Sequence, residues 1–478
     1  MKILKLSTLM TPWVMAMMLS CSILGMNRTA ASAENAGLRV GAARVDITPA
    51  ADAARPPTGK YEHEHLYIRA IVLDNGSTRA ALIGTDQVVL REQVWLEASK
   101  QIAAELKCPV ENILMSATHT HSSSMPPPPR KPGDPPVYIF PPVAFMVDNM
   151  LSAVRQAEAK LQPARMGYGT GFAYLNVNRD AVNPETHLWT QAPNLIGPSD
   201  KTVAVLTFET PSGEPIAVYV NYAMHPVNGY LAQFVSADFA GAMSRYVERT
   251  YGDKVVVAFT QGASGDQNPL YLRPATNMLA SESGVAVTGN VMDRESVEAP
   301  LREQLVSSKP LDPQFQDNLE RWIESEGQVL GEEVIRVITD TTETSSEVRI
   351  SGAQKMVTCP GRTRTDTGRE GMVGSYVDGA PVNIRLGMLG IGNVALTSVD
   401  AEIYTLISQR MKKQSPMTNT VMVTLANGTA NSGYIPDDAS FNHNSFQVLS
   451  SHLKVGCAEK SIADGLTDLV SQYVKATH

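Results

Sequence analysis

Short apolar runs, most of them bounded by turn residues, recur along the chain and predict β-strands. They cover residues 66–73, 80–84, 113–117, 203–208, 216–222, 255–259, 347–351, 382–389, 394–399 and 421–425. A tight-turn sequence separates some neighbouring pairs, as Pro211-Ser212-Gly213-Glu214 does. We therefore predict β-hairpins at these places.

Apolar residues that recur every three or four positions predict amphipathic helices between the strands. The predicted helices cover residues 94–106, 147–161, 313–338, 403–411 and 462–474. Because hairpins and helical crossovers interleave, we predict an α/β (mixed α+β) fold in which mixed β-sheets are flanked by helices. No internal repeat or linker stands out, which favours a single large domain.

Several predicted strands end in residues that are suited to chemistry. These residues are Asp86, His119, His121, His225, the loop 264–269, Glu402 and Tyr434. Functional sites in open α/β folds gather at the ends of strands, so these residues are candidates for one common site.

His119 and His121 follow the strand 113–117 and lie two positions apart. In extended backbone such residues point to the same side, which would aim both rings at one cavity. Two histidines do not complete a metal site, and a lone pair of this kind is more often solvated or hydrogen-bonded locally. They are candidate ligands only if other parts of the chain supply partners.

The first 33 residues have the pattern of a secretory signal peptide. Lys2 and Lys5 precede a nearly uncharged stretch from Met10 to Met26, and Ala31-Ser32-Ala33 offers a cleavage site. The stretch is shorter than the roughly 20 residues of a spanning helix. We expect a signal peptide over 1–33, cleavage near Ala33, a secreted or periplasmic protein and a mature domain over 34–478. An uncleaved anchor is the alternative.

The net charge limits the possible partners of the chain, and the cysteine content limits the number of disulfides that can stabilise it. The whole chain has a net charge of −8, and removal of the cations Lys2, Lys5 and Arg28 leaves the mature chain at −11. An acidic chain disfavours nucleic acid as a partner. The mature chain keeps three cysteines, Cys108, Cys359 and Cys457, so at most one disulfide forms, and the sequence does not say which pair forms it.

Five motifs follow one another in a characteristic order: Ala117-Thr118-His119-Thr120-His121-Ser122, Asn221-Tyr222-Ala223-Met224-His225-Pro226, residues 262–269, Asp400-Ala401-Glu402-Ile403-Tyr404 and Asn431-Ser432-Gly433-Tyr434-Ile435-Pro436. In these motifs the chain resembles the neutral/alkaline (non-lysosomal) ceramidase family over most of 34–478. The resemblance implies a catalytic domain of the ceramidase type. It also implies Zn²⁺ ligands at His119, His225, Glu402 and Tyr434, with His121 as a second active-site histidine.

The chain departs from the family pattern at two points. Asn268 stands where the family has a serine that looks like the nucleophile, and an asparagine cannot take that role. Because the sequence stops soon after the tyrosine motif, we also expect no immunoglobulin-like C-terminal domain of the kind that well-known members have. Both departures leave the substrate open between ceramide and another acyl amide or ester.

The ligand set that the resemblance implies suits zinc, because imidazole, carboxylate and phenol oxygen are all ligands for a borderline cation. We therefore expect a secreted hydrolase in which zinc-bound water attacks an amide or ester carbonyl, as zinc acidifies water and polarises the carbonyl. His121 would position this water or move its proton. Asp266 or Asp86 would orient a ligand histidine.

The loop 262–269 contributes further candidates. We count Asp266 and Asn268 among the catalytic positions, and Ser264 is expected to line the substrate pocket. Arg179 would hold a polar or anionic part of the substrate, with a structural ion pair as the alternative role.

Two other functions remain open from the sequence. A serine hydrolase would use Ser264, which follows a strand, although Gly262-Ala263-Ser264-Gly265 does not have the spacing of a nucleophile elbow. A secreted binding protein would keep the fold without activity. For the predicted hydrolase, the expected partner is a small or lipid-like acyl amide or ester, and the proline-rich segment 125–142 would offer an apolar rim for peripheral membrane contact. The oligomeric state is not predicted.

Overall fold

The computed structural model describes residues 37–49, 60, 62–123, 140–229, 235–271, 313–368 and 370–476. Gly37–His478 forms one compact unit. Among the described residues, no helix is both long and apolar enough to cross a membrane. The predicted signal peptide and the proline-rich rim up to residue 139 lie outside the described residues.

Nineteen strands are described: β1 (Arg39–Asp46), β2 (Tyr67–Asp74), β3 (Arg79–Thr85), β4 (Ile113–Ala117), β5 (Gln162–Pro163), β6 (Arg165–Phe172), β7 (Asn176–Val182), β8 (Trp189–Asn194), β9 (Thr202–Glu209), β10 (Pro215–Tyr222), β11 (Val256–Gln261), β12 (Gln267–Pro269), β13 (Thr344–Ser345), β14 (Ile350–Arg364), β15 (Tyr376–Ile391), β16 (Val394–Val399), β17 (Glu402–Ile403), β18 (Thr420–Val423) and β19 (Tyr434–Ile435). The described α-helices are α1 (Glu92–Leu106), α2 (Val143–Glu158), α3 (Asp238–Thr250), α4 (Pro313–Asp340), α5 (Thr405–Gln414), α6 (Phe446–Ser450) and α7 (Ala458–Lys475). The mixed α/β prediction is confirmed.

The first sheet has the strand order β4-β3-β2-β1-β5 and separates two parts of the core. Successive side chains of a strand face opposite sides. Ile68 and Val72 accordingly pack against α1 and α2, whereas Ile71 and Leu73 face the second sheet and meet Phe208. This alternation buries both faces of the sheet.

The second sheet has the order β11-β10-β9-β6-β13, and α3 and α4 cover its outer face. Val218 and Val220 of β10 pack there against Phe239 of α3 and Leu330 of α4. The two sheets with their helices therefore form four layers in the order helix, sheet, sheet, helix.

The third large sheet has the order β14-β15-β16-β18 and joins the same core through one face. Its other face packs against α5 and α7, where Leu386 meets Ile407 and Leu466. A disulfide between Cys359 of β14 and Cys457, at the start of α7, ties this helix to the sheet.

Three strand ends meet on one side of the molecule and prepare the site. The Ala117 amide at the end of β4 donates to the Leu425 carbonyl (3.2 Å), and the Thr424 amide donates to the Gln261 carbonyl at the end of β11 (2.9 Å). Because β10 runs parallel to β11, the end of β10 lies there as well. The loops that carry His119 and His225 therefore leave their strands as neighbours.

Candidate metal centre

Three side chains from distant parts of the sequence converge at these strand ends. The Nε2 atoms of His119 and His225 are 3.0 Å apart. The Oε2 atom of Glu402 lies 3.2 Å from each of them. All three side chains were predicted from the sequence as ligands of one ion, and the structure brings them together.

The other ring nitrogen of each histidine fixes where its proton is. His119 Nδ1 lies 2.6 Å from the Val88 carbonyl oxygen, and His225 Nδ1 lies 3.0 Å from the Gln267 carbonyl oxygen. A carbonyl only accepts hydrogen bonds, so each Nδ1 carries the proton and donates it. In the neutral imidazole each Nε2 is then a bare lone pair, which is the form that binds a metal ion.

Burial keeps this donor set in its metal-binding form. Burial, followed by the charge of Arg179, lowers the pKa of His225 to about 3. Burial would raise the pKa of Glu402, but His119 and His225 outweigh it and hold the pKa well below its ordinary value. The centre at neutral pH therefore has a neutral His225 and a carboxylate at Glu402.

The convergence of lone pairs indicates a cation. Glu402 Oε2 is buried, and within the described residues it has no hydrogen bond of suitable geometry. With both rings neutral, two bare imidazole nitrogens and a carboxylate oxygen at about 3 Å repel one another unless a positive charge lies between them. Nitrogen and oxygen donors of this kind fit a divalent transition metal, so the residues present fit a metal ion.

His121 belongs to the same cluster. Its Nε2 lies 3.3 Å from His119 Nε2, and its ring centroid lies 4.7 Å from that of His119. His119, His121 and His225 together form a group that could hold a metal ion. Burial, with His119 and His225 adding to it, lowers the pKa of His121 well below its ordinary value. His121 therefore offers a neutral imidazole, either as a ligand or as the proton acceptor that we predicted.

The backbone differs from the extended geometry that we expected for the two histidines. β4 ends at Ala117, and His119 has a φ of 69°, in the left-handed region. Non-glycine residues rarely adopt this conformation, and strained positions of this kind cluster at functional sites. The turn still brings the two rings together, because the His119 amide donates to the Gln87 carbonyl (3.0 Å) and the His121 amide to the Pro226 carbonyl (3.1 Å).

Tyr434 lies beside Glu402, since β17 and β19 pair in parallel with these two residues in register. The guanidinium of Arg179 lies over the Tyr434 ring, 5.4 Å from its centroid. This arrangement places both predicted residues next to the centre. The role of Tyr434 as a ligand stays a prediction.

Within the described part of the chain, Arg179 makes hydrogen bonds to neutral groups rather than an ion pair. It donates from Nε to the Gly265 carbonyl (3.1 Å), from NH2 to the same oxygen (2.5 Å) and from NH1 to Asn268 Oδ1 (3.0 Å). The Gly265 carbonyl and Asn268 together thus fix Arg179. The substrate-binding role of Arg179 and the catalytic role of Asn268 stay predictions.

The orienting groups differ from those that we expected, since carbonyls rather than Asp86 or Asp266 accept from His119 and His225. Asp86 pairs with the buried Arg69 (2.9 Å). Asp266 accepts from the Thr405 amide at the start of α5 (2.9 Å), and burial raises its pKa to about 7. Asp266 therefore anchors the helix that follows Glu402, and a catalytic role for it stays a prediction.

Ser264 is buried in the turn after β11, where its carbonyl accepts from the Gln267 amide (2.9 Å). Among the hydrogen bonds of the described residues, none joins its hydroxyl to a histidine. The strand β12 follows this turn rather than a helix. The surroundings of Ser264 thus lack the base of a serine nucleophile, while its place beside the centre agrees with lining a pocket.

One pair near the centre was missed from the sequence. His443 Nδ1 lies 3.1 Å from Asp180 Oδ2, and its ring stacks on Trp189 with centroids 3.6 Å apart. Asp180 also accepts from the Tyr404 hydroxyl (3.0 Å). In the sequence, the only indication of this site is that Asp180 follows Arg179 directly, and adjacent charged residues of this kind are too common to identify a site.

The fold and this donor set define a mixed α/β protein with a buried centre of histidine and glutamate side chains that could hold a metal ion. The family can also be named. The sequence model of the neutral/alkaline non-lysosomal ceramidase N-terminal region matches residues 39–364, and the chain belongs to that family. The resemblance seen in the motifs is confirmed. The match contains His119, His121 and His225 and ends before Glu402.

Individual relatives agree with this membership. A neutral ceramidase from Pseudomonas aeruginosa is 27% identical over 296 residues, which are 56% of this chain and 42% of that protein. The chain thus matches less than half of the length of this curated relative. Two solved structures show the same fold. A ceramidase complexed with C2 has a TM-score of 0.66 at 16% identity, covering 92% of this chain and 76% of that chain. The neutral ceramidase of Pseudomonas aeruginosa has a TM-score of 0.64 at 15% identity, covering 92% and 75%.

Proposed function

We propose that this protein is a zinc-dependent hydrolase that cleaves the amide bond of an acylated amine, with a ceramide-like lipid as the substrate. The observation that carries the proposal is the convergence of His119 Nε2, His225 Nε2 and Glu402 Oε2 within 3.0 to 3.2 Å. Membership of the ceramidase family supports the amide as the bond and a lipid as the substrate. An ester is the second bond that this chemistry would cleave.

The ligands are His119, His225 and Glu402, with Tyr434 beside Glu402 as the fourth. Two imidazole nitrogens, a carboxylate and a displaceable phenol oxygen favour Zn²⁺ over the hard cations Mg²⁺ and Ca²⁺, because these two cations prefer oxygen ligands alone. A zinc ion here would supply Lewis-acid chemistry, polarising a carbonyl and acidifying water.

The residues of the chain would then transfer protons and hold the groups of the site in place. His121 is neutral at pH 7 and accepts a proton from the attacking water as the new C–O bond forms. The same proton passes to the amine as the C–N bond breaks. Arg179 keeps Asn268 and the ring of Tyr434 in place at the edge of the site. Because Asn268 supplies no hydroxyl, water rather than a side chain is the nucleophile.

Hydrolysis of an N-acyl sphingosine tests the proposal. We expect activity that a chelator removes and Zn²⁺ restores, that survives in Ser264→Ala, and that falls about 10²- to 10⁴-fold in His121→Gln. His452→Gln is the matched control, since His452 bonds the Asn431 carbonyl at an exposed position, and we expect it to keep full activity. Chelator-resistant activity that Ser264→Ala abolishes would instead identify a serine hydrolase. Bound zinc without turnover of any acyl amide or ester would identify a binding protein.

We also propose that the protein works outside the cytoplasm, as the signal-like residues 1–33 indicate. The disulfide between Cys359 and Cys457 supports this location, because disulfides persist in oxidising compartments. N-terminal sequencing of the protein from the native host checks the proposal. A mature chain that starts near Glu34 is expected, and an intact Met1 on protein from the cytosolic fraction would contradict it.

A further inference from the structure

Two hairpins place exposed apolar side chains at their tips. In the hairpin of β14 and β15, the connecting segment contains Met372 and Val373, which are 51% and 85% exposed. In the hairpin of β7 and β8, Val182 is 47% exposed and lies directly across from Trp189, so the two side chains share one face. Among the described residues, Val182, Met372 and Val373 are thus large apolar side chains that stay substantially exposed at these tips.

The two tips touch each other and α6. A Cβ atom on Gly371 would lie 2.6 Å from the Trp189 carbonyl oxygen, so the two tips are in close contact. The Gly371 amide donates to the Asn444 carbonyl (2.8 Å). The Phe446 amide donates to Glu370 Oε1 (3.0 Å), and Phe446 is 41% exposed. Val182, Trp189, Met372, Val373 and Phe446 therefore lie on three segments that contact one another, and together they are here called the hairpin patch.

The hairpin patch adjoins the metal centre. The ring of Phe446 lies 5.9 Å from the ring of Tyr434, whose strand pairs with that of Glu402. On the other side, Trp189 stacks on His443, which pairs with Asp180 next to Arg179. The patch thus borders the side of the site where Tyr434 and Arg179 lie.

The charges around the hairpin patch indicate which kind of surface it binds. In sequence the two tips contain the acids Glu185, Asp366 and Glu370 against the bases Arg364 and Arg369, and the whole chain has a net charge of −8. Arg364 pairs with Asp366 (2.8 Å). In sequence, the two tips thus contain one more acid than base and offer no net positive charge to anionic lipid, whereas transfer of their apolar side chains from water to an uncharged lipid surface is favourable.

We propose that the hairpin patch docks on the surface of a bilayer of uncharged or zwitterionic lipid, so that an acylated lipid reaches the metal centre from the membrane. The contact is peripheral, because a few side chains enter the interface. This inference rests on the proposed function for the identity of the lipid that is cleaved. The docking itself is measured without turnover.

Sedimentation with phosphatidylcholine vesicles tests the docking. The wild-type chain is expected to sediment with the vesicles, and added salt should leave this binding unchanged. The double variant Met372→Asp/Val373→Asp should lower the partition constant at least about tenfold, because two aliphatic contacts are lost and two charges face the interface. Val329→Asp is the matched control, since Val329 is 54% exposed on α4, and it should bind like the wild type.

A second measurement separates docking from catalysis and folding. The double variant should hydrolyse a water-soluble short-chain N-acyl amine as fast as the wild type and a long-chain substrate in vesicles more slowly. Vesicle binding that is absent in the wild type, or unchanged in the double variant, overturns the docking proposal. So does a change in oligomeric state on substitution, since the patch would then join two copies of the chain. Vesicle binding without hydrolysis of either substrate would uphold docking and defeat the proposed function.

Discussion

The Nε2 atoms of His119 and His225 face each other and carry no proton when the rings are neutral, and Glu402 adds an oxygen that meets no donor in the described part of the chain. The carbonyls of Val88 and Gln267 create this situation, because each takes the proton of the other ring nitrogen. A metal ion therefore fits the centre better than any arrangement of hydrogen bonds. A lone histidine or glutamate would not carry this conclusion.

The hydrogen bond between Arg179 and Asn268 can be tested by substitution of the single residue Asn268. Its Oδ1 accepts from Arg179 (3.0 Å), so Asn268→Ala should lower the free energy of unfolding by about 1 kcal/mol, a typical net value for one hydrogen bond. Asn268→Asp should preserve stability, since a carboxylate also accepts from a guanidinium. Urea unfolding of the three proteins checks this. Equal stability of Asn268→Ala and the wild type would show that the contact contributes nothing.

The metal ligands could be predicted from the sequence, but the groups that orient them could not. His119, His225 and Glu402 could be found because motifs in a fixed order mark them. The carbonyls of Val88 and Gln267 could not be found, because any residue type supplies a carbonyl and only the fold decides where it points. Asp86 and Asp266 were reasonable expectations as carboxylates near a histidine, yet each is engaged by other donors.

At the scale of elements, the start of α3 connects both histidine loops. Thr120 donates from Oγ1 to the Ser236 carbonyl (2.6 Å), and the Gly229 amide donates to Asp238 Oδ2 (3.0 Å). Asn228 donates to Asp238 Oδ1 (2.9 Å) and to Glu326 Oε2 of α4 (2.7 Å). These contacts hold the loops after β4 and β10 against α3 and α4.

Glu326 makes this junction sensitive to pH. Burial, with the charge of Asp238 adding to it, raises the pKa of Glu326 from its ordinary 4.5 to about 8. The folded chain thus holds a proton that the unfolded chain releases. The stabilising contribution is complete below the ordinary pKa and is lost as the pH rises towards the folded pKa.

Glu326→Gln should remove this loss, because glutamine resembles the protonated acid. Relative to the wild type, its free energy of unfolding should increase between pH 5 and 8 by at most about 1.4 kcal/mol per pH unit. Urea unfolding across this range measures the difference. Glu185→Gln, at an exposed position, is the control that should show no such trend. Parallel pH profiles of Glu326→Gln and the wild type would contradict the shifted pKa.

Most elements followed from the apolar pattern. β4 has the predicted bounds, and α4 was predicted within two residues of its end at Asp340. The helix α3 was missed, although Phe239, Met243 and Val247 recur every four residues, because the small residues between them weaken the periodicity. The strands β14 and β15 are much longer than the predicted strands 347–351 and 382–389. Their additional residues are mostly exposed or half-buried and lack the alternation of a buried strand.

At the scale of the whole molecule, one covalent link supplements the packed layers. The disulfide joins residues 98 positions apart and fixes α7 to the third sheet. The sequence limited the chain to one bridge but could not select the pair, since pairing depends on which cysteines the fold brings together. Among the described cysteines Cys108 is left free, and burial raises the pKa of its thiol to about 11.

Replacement of the bridge should cost much more than replacement of the free thiol. Cys359→Ser/Cys457→Ser is expected to lower the free energy of unfolding by about 2–5 kcal/mol, because a long loop is released in the unfolded chain. Cys108→Ser should change it by less than about 1 kcal/mol. Thermal unfolding with and without a reductant checks both. A wild-type midpoint that does not respond to reductant would contradict the disulfide.

The most direct test of the metal centre is the metal content of the purified chain, measured by mass spectrometry for the wild type, His225→Ala and Ser264→Ala. We expect about one zinc ion per chain in the wild type and in Ser264→Ala, and none in His225→Ala, because the ligand Nε2 is lost. A wild-type chain that is active without metal, or a His225→Ala chain that keeps its zinc, would contradict the assignment of His119, His225 and Glu402 as the metal ligands.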